Sequence, residues 1–189
     1  MTEPVGKEFL TREEWRKWLE KNHSSQKEVW VIIYKKNAER KGLKYPEAVE
    51  EAICYGWIDS KMQSIDAKRF RQRFSPRKKN SIWSQKNKKT AEKMLKEGKM
   101  SPVGFEAIKE AKSNGKWAAA YSSKTAPVIP KDLAEALREN ERFWRNFEEF
   151  PNSTKIQYVY WVNSAKKDET RQKRIKAVVE KARQKIKPS

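Results

Sequence analysis

Between Arg69 and Trp83 the chain reads RFRQRFSPRKKNSIW, and no carboxylate interrupts it. Side chains of a strand alternate faces, so Arg69, Arg71 and Arg73 are expected on one side and Phe70, Gln72 and Phe74 on the other. The phenylalanines then anchor in a core while three guanidinium groups stand in a row. Same-face neighbours lie about 7 Å apart, comparable to the spacing of successive phosphates along a nucleic-acid strand. At an effective dielectric of ~20 two such charges repel by roughly 2 kcal/mol. Two things could offset that repulsion: internal carboxylates, with Asp59 and Asp66 close in sequence, or an external anion.

Arg77, Lys78 and Lys79 run directly into Ser81, which is expected to cap a helix reaching about Lys96. A helix N-terminus has unsatisfied N–H groups and a positive dipole end, so this loop is a candidate phosphate or carboxylate pocket. Trp57 and Trp83 flank the basic stretch. Each either stacks on a base or ring there or packs in the core, and Trp57 falls on the apolar stripe of the helix before it. Asp59 is expected to orient its surroundings, by pinning an arginine of the row, holding the SPRKK loop or capping backbone.

The rest of the inventory excludes much chemistry. Cys54 and His23 are the sole cysteine and histidine among 189 residues. That rules out Cys/His zinc sites, a Cys-His nucleophile pair and a Ser-His-Asp triad within one chain. The phosphate-binding pattern GxxxxGK[ST] is absent, so nucleotide hydrolysis is not expected. No catalytic constellation and no cofactor emerge, and the protein is expected to be non-enzymatic. His23, near the end of its helix, is expected to be structural.

The formal net charge of +19 is unevenly spread. Residues 1–60 carry 11 Lys/Arg and 11 Asp/Glu, whereas residues 68–99 carry 13 basic side chains against Glu92 and Glu97. A second basic block occupies residues 166–189, including Lys166, Lys167, Arg171, Lys173, Arg174, Lys176, Lys181 and Arg183. Such segregation favours anionic partners, either nucleic acid or a small phosphorylated or carboxylated ligand. The longest strongly apolar run, Val29 to Tyr34, is far too short to span a bilayer. Membrane insertion is not expected, and a cytoplasmic location is. Oligomeric state is not written in these features.

The elements that must position these groups follow from periodicity and punctuation. TREEWRKWLEKNH has a Thr11/Glu14 capping pair and Trp15, Trp18 and Leu19 on one helical face. EVWVIIY, Glu28 to Tyr34, reads as a strand covered on both faces. Pro46 opens a helix with Ala48, Val49, Ala52, Ile53 and Trp57 at helical spacing. Residues 61–75 read as a hairpin around Asp66-Ala67-Lys68. After the Ser81 helix, Ser101-Pro102 opens another, ended near Asn114-Gly115. Trp117 to Pro130 lacks periodicity and reads as a linker. Beyond it come helices marked by Leu133, Ala136 and Leu137, by Phe143, Trp144, Phe147 and Phe150, and by Ile156, Val159, Tyr160 and Asn163. The last, capped by Asp168, carries Ile175, Val178, Val179, Ala182 and Ile186. The expected fold class is α+β: a small antiparallel sheet, central strand plus hairpin, flanked by helices and followed by a C-terminal helical segment. The divisions expected are 1–116, a linker at 117–130, and 131–189.

The stretch AICYGWIDSKMQSIDAKRFRQRFSPRKKNSIWSQKN, Ala52 to Asn87, resembles the YdeI/OmpD-associated family, also described as bacteriocin-protection proteins. EEWRKWLEKNH, VWVIIYKK and the C-terminal YVYWVNSAKKDETRQKRIKAVVEKA extend the resemblance over nearly the whole chain. It implies a small cytoplasmic protein linked to resistance phenotypes, with no catalytic residue or cofactor to carry over. The N-terminal part also resembles YdhG-like proteins, whose small sheet is similar to the frataxin fold and has been associated with iron delivery. That resemblance implies an alternative role, an iron-handling chaperone. Hard metal ions require carboxylate oxygens, and with two acids amid 13 positive charges in residues 68–99 any acidic cluster has to come from the N-terminal third, such as Glu47, Glu50 and Glu51.

Overall fold

A computed structural model describes residues 6–122 and 124–185. Ile186, expected on the last apolar stripe, lies outside the described residues. The chain divides into two compact units, the boundary falling after Ala120 within the segment read as a linker.

The first unit runs β1 (Lys7–Glu8), α1 (Arg12–Asn22), β2 (Val29–Tyr34), α2 (Tyr45–Cys54), β3 (Trp57–Ser64), β4 (Arg69–Pro76), α3 (Gln85–Lys96) and α4 (Pro102–Ser113). Its sheet has the order β1-β2-β4-β3. The strands β2, β4 and β3 are antiparallel neighbours, as expected of a central strand plus hairpin. The sheet as a whole is mixed rather than antiparallel, because β1 pairs parallel to β2. That strand is two residues long and carries no periodic signal, so the pairing is set by tertiary contact alone.

The β2/β4 register decides which side chains share a face. Val29 lies opposite Phe74 and Ile33 opposite Phe70, and these join the core. Trp30 lies opposite Arg73, Ile32 opposite Arg71 and Tyr34 opposite Arg69; on this second face Ile32 is buried, at 6% exposure, while Trp30 and Tyr34 are half-buried. The core itself is built from Trp15 and Leu19 of α1, the apolar stripe of α2, Trp57, Phe74, Trp83 and Met94.

Helix ends explain the two boundary corrections. Helix α2 ends at Cys54, and Gly56 adopts φ 69°, a left-handed conformation open to glycine, which turns the chain into β3. Trp57 therefore opens a strand instead of closing the helical stripe. Ser81 sits in a turn, its N–H donating to the Lys78 carbonyl at 2.9 Å. Ser84 is the true cap of α3, its Oγ accepting from Asn87 N at 3.1 Å. The chain stays extended through Ile82 and Trp83 because Trp83 must reach the core, where it is 2% exposed.

The second unit holds α5 (Lys131–Arg138), α6 (Glu141–Glu148), α7 (Asn152–Asn163) and α8 (Asp168–Arg183). Leu133, Leu137, Phe147, Phe150, Tyr158, Val162, Ile175, Val178 and Ala182 form a separate core. Two expectations change here. Asn163 is exposed, because α7 buries Thr154, Tyr158 and Val162 as well as Ile156 and Val159. Lys167 occupies the cap position of α8, and Asp168 falls in its first turn, where its charge favours the dipole.

Arg171 of α8 holds Asp132 of α5 through two hydrogen bonds of 2.5 and 2.8 Å. The Arg171 guanidinium keeps the Asp132 carboxyl below its ordinary value, against the effect of burial. A depressed carboxyl contributes stability above its unfolded-state pKa, near 3.9, and loses it as pH falls through the folded value. Asp132→Asn is expected to lower Tm by about 2–4 °C at neutral pH. Thermal melts should show the gap to wild type closing below pH ~4.

Candidate anion-binding surface

The arginine row stands where the alternation places it, on the sheet face that carries Trp30, Ile32 and Tyr34. Much of its charge is met from within. Asp66 accepts from Arg69 Nε at 2.8 Å and also takes the Lys68 and Arg69 backbone N–H groups, which closes the hairpin turn. Glu28, just before β2, accepts from Arg73 Nε at 3.0 Å and Nη2 at 2.5 Å. The Arg69 hydrogen bond pulls the Asp66 carboxyl below its usual range, and the Arg73 hydrogen bond does the same to Glu28. Arg71 donates to Gln63 Oε1 at 2.8 Å and lies over the Trp30 ring at 4.7 Å. Asp66 was an expected internal partner; Glu28 was not, since nothing local in sequence ties it to Arg73.

Beyond Pro76 the surface changes character. Arg77 turns inward: its N–H donates to the Gly56 carbonyl at 2.8 Å, its Nη1 to the Ile82 carbonyl at 3.1 Å, and its guanidinium lies 3.8 Å from the Trp83 ring. It organises the loop and does not project from it. Trp83 packs edge-on against Trp117 at 4.9 Å. Lys88 lies over the Trp117 ring and donates to its carbonyl, and Lys112 approaches the same ring at 5.7 Å. Asn114 donates to the Lys79 carbonyl at 3.0 Å, tying the 78–80 loop to the end of α4. Lys78 and Lys79 are exposed and make no ion pair among the described residues. The result is a carboxylate-poor group of cations around a tryptophan pair, made from residues 77–88 and 112–117. Of these, Trp117, Lys88 and Lys112 were not anticipated. A tryptophan at the start of an aperiodic stretch was their one signal.

Trp57 and Trp83 are 1% and 2% exposed, so neither can stack on a ligand. The Trp57 indole donates to the His23 carbonyl at 3.2 Å, which gives His23 a structural place at the end of α1. Asp59 neither pins an arginine nor holds the loop; it accepts from the Tyr45 hydroxyl at 2.6 Å. Burial, then the Asp59 charge, pushes the Tyr45 phenol well up, so it stays a donor. Ser81, in its turn, does not present a helix N-terminus to an anion.

The acids of α2 are committed elsewhere. Glu51, 1% exposed, accepts from Arg12 Nε at 2.5 Å and from Arg16 Nη1 at 2.6 Å. Glu50 bonds Arg12 and Lys93, and the Glu47 carboxylate accepts from the Lys44 N–H at the helix start. Among the described residues no group of three or more His, Cys, Asp or Glu is placed to hold a metal ion. Burial, then Glu51, pushes the Cys54 thiol up to about 11, which keeps it protonated and unreactive. No helix among the described residues is long and apolar enough to cross a membrane.

A family model described as a domain of unknown function, DUF8412, matches residues 7–107, more than half of the chain. A second, described as bacteriocin-protection, YdeI or OmpD-associated, matches residues 126–185. The resemblance read from the sequence is thus located in the second unit, while Ala52 to Asn87 lies within the first model. No curated protein matches the chain, and no solved structure does. The chain belongs to the family of the domain of unknown function DUF8412 and carries a YdeI/OmpD-associated domain C-terminal to it.

Proposed function

We propose that the first unit is a non-enzymatic binding module for a phosphate-bearing polyanion, nucleic acid, engaged by the lysines around the Trp83/Trp117 pair. The observation that supports this is the contrast in charge compensation. Arg69 and Arg73 have carboxylate partners, whereas Lys78, Lys79, Lys88 and Lys112 are gathered on one framework without any among the described residues. Like charges repel unless counter-ions collect there, and a polyanion releases those counter-ions on binding. The buried Trp117 ring supports the Lys88 and Lys112 ammonium groups. The bacteriocin protection named for the second unit's family is a trait, and a trait does not specify a binding chemistry.

Fluorescence anisotropy with labelled oligonucleotides tests this. Affinity is expected to fall steeply between 50 and 200 mM salt, with a log–log slope of about −0.9 per phosphate neutralised on duplex. Lys78→Glu combined with Lys79→Glu is expected to weaken binding at least tenfold and to flatten that slope by about 2. Undetectable binding of the wild type at 50 mM salt overturns the reading.

A further inference from the structure

We infer that the second unit carries a surface that rests on an anionic lipid bilayer, made by Trp161 of α7 and by Lys167, Arg174 and Lys181 along one edge of α8; it is independent of what the first unit binds. Among the described residues of this unit Trp161 is the one aromatic side chain that is exposed, at 41%, and nothing accepts a hydrogen bond from its indole N–H. Arg174 lies over the ring at 5.4 Å and is held there through Nη1, which donates to the Trp161 carbonyl at 2.6 Å and to the Ser164 hydroxyl at 2.9 Å. Its Nε and Nη2 make no hydrogen bond among the described residues, and these two groups form the fork that takes a phosphate through parallel bonds. Lys167, Arg174 and Lys181 are spaced by two helical turns each, so they stand on one line about 21 Å long. None of the three has a carboxylate partner among the described residues. The acids of α8, Asp168, Glu169 and Glu180, fall about 100° or more around the axis from that line. Glu169 and Glu180 are moreover occupied by Lys173 and Arg183.

The chemistry of this edge selects an occupant. A plane touches a straight helix along one line, and a bilayer surface is an anion that is flat over that length. An exposed indole at such a contact buries its ring at the headgroup level while its N–H meets headgroup oxygens or water. Cations beside it gain from the negative potential of anionic lipids, which acts within a Debye length of the surface. A duplex also offers phosphates, but nothing apolar at the level of its backbone, so it leaves that ring in water. No helix has to insert: the unit lies on the membrane and does not span it.

Cosedimentation of the full chain with vesicles tests this, with circular dichroism as the check on folding. Wild type is expected to bind vesicles of equimolar phosphatidylcholine and phosphatidylglycerol and not vesicles of phosphatidylcholine alone. Trp161→Ser is expected to lower the partition coefficient about tenfold, and Lys167→Glu combined with Lys181→Glu by at least as much. The Lys78/Lys79 double variant, altered in the first unit, is expected to stay within about twofold of wild type. Lipids brominated on their acyl chains should quench the fluorescence of wild type more than that of Trp161→Ser. Failure of wild type to bind the anionic vesicles overturns the surface, as does binding that Trp161→Ser leaves unchanged or that only the Lys78/Lys79 variant loses. Weaker oligonucleotide binding by the Lys167/Lys181 variant, with no vesicle binding by wild type, overturns it in favour of nucleic acid on this edge. Should Trp161→Ser not fold, the Lys167/Lys181 variant decides.

Discussion

Gly104→Ala is expected to destabilise the protein by about 3 kcal/mol or more, at or beyond the upper end of ordinary overpacking. A Cβ at this position would lie 2.1 Å from the Cys54 carbonyl oxygen and 2.6 Å from the Met100 sulfur. The thioether can swing aside, but the carbonyl cannot. It closes α2 and already accepts from the Ser101 N–H at 3.1 Å and the Ser101 hydroxyl at 2.5 Å. Ser101 also caps α4 by accepting from the Gly104 N–H at 3.3 Å. Relieving the clash therefore separates α4 from α2 and breaks the cap together with the inter-helix bonds. Urea unfolding should show the midpoint falling with m unchanged. A shift worth less than 1 kcal/mol would mean that the two helices are not held at this distance.

Glu51→Ala carries the second large effect. The carboxylate is buried, yet both guanidinium groups that meet it reach solvent, at 24% and 35% side-chain exposure. Burial pulls Arg12 and Arg16 down, and the Glu51 hydrogen bonds and charge more than reverse this. Removing one member of a buried pair typically costs 3–5 kcal/mol, and partial hydration of the orphaned arginines puts this case at about 3 kcal/mol. Glu51→Gln should recover part of that, because it keeps the shape and one acceptor oxygen for one of the two guanidinium groups, while the charge and the second acceptor oxygen are lost. Equal midpoints for Glu51→Ala and wild type in urea would show that α1 and α2 are joined by apolar packing alone.

How much of this could be read from the chain depends on whether the information was local. The hairpin turn at Asp66-Ala67-Lys68, the facing of Arg69, Arg71 and Arg73, the Ser101-Pro102 start and the Asn114-Gly115 stop are all properties of a few consecutive residues. Trp57 was harder, because its spacing from Ile53 fits a helix and the left-handed turn at Gly56 overrides it. Ser81 and Ser84 are both plausible caps three residues apart, and the choice is made by Trp83 reaching Trp117. Glu28 and Glu51 became legible only with register and helix packing. Their partners are 45 and 35 to 39 residues away. A local trace of the second did exist: Arg12 and Arg16, four apart beside buried Trp15 and Leu19, require a shared acid. The lysine surface needed α4 to fold back on the 78–80 loop, so Lys112 and Lys88 could not be joined from sequence.

Asp66 and Glu28 also have a bearing on selectivity. Each is a competitor tethered to the arginine it occupies, present at a local concentration that a freely diffusing monoanion does not match. An isolated phosphate or acetate ion has to displace its rival one contact at a time and gains nothing from the next. A polymer that has seated one phosphate presents the following one at comparable effective concentration, so it can clear the whole row. The two carboxylates set a threshold on valency: a lone monoanion meets a tethered rival at Arg69 and at Arg73 and gains nothing at one position from displacing it at the other.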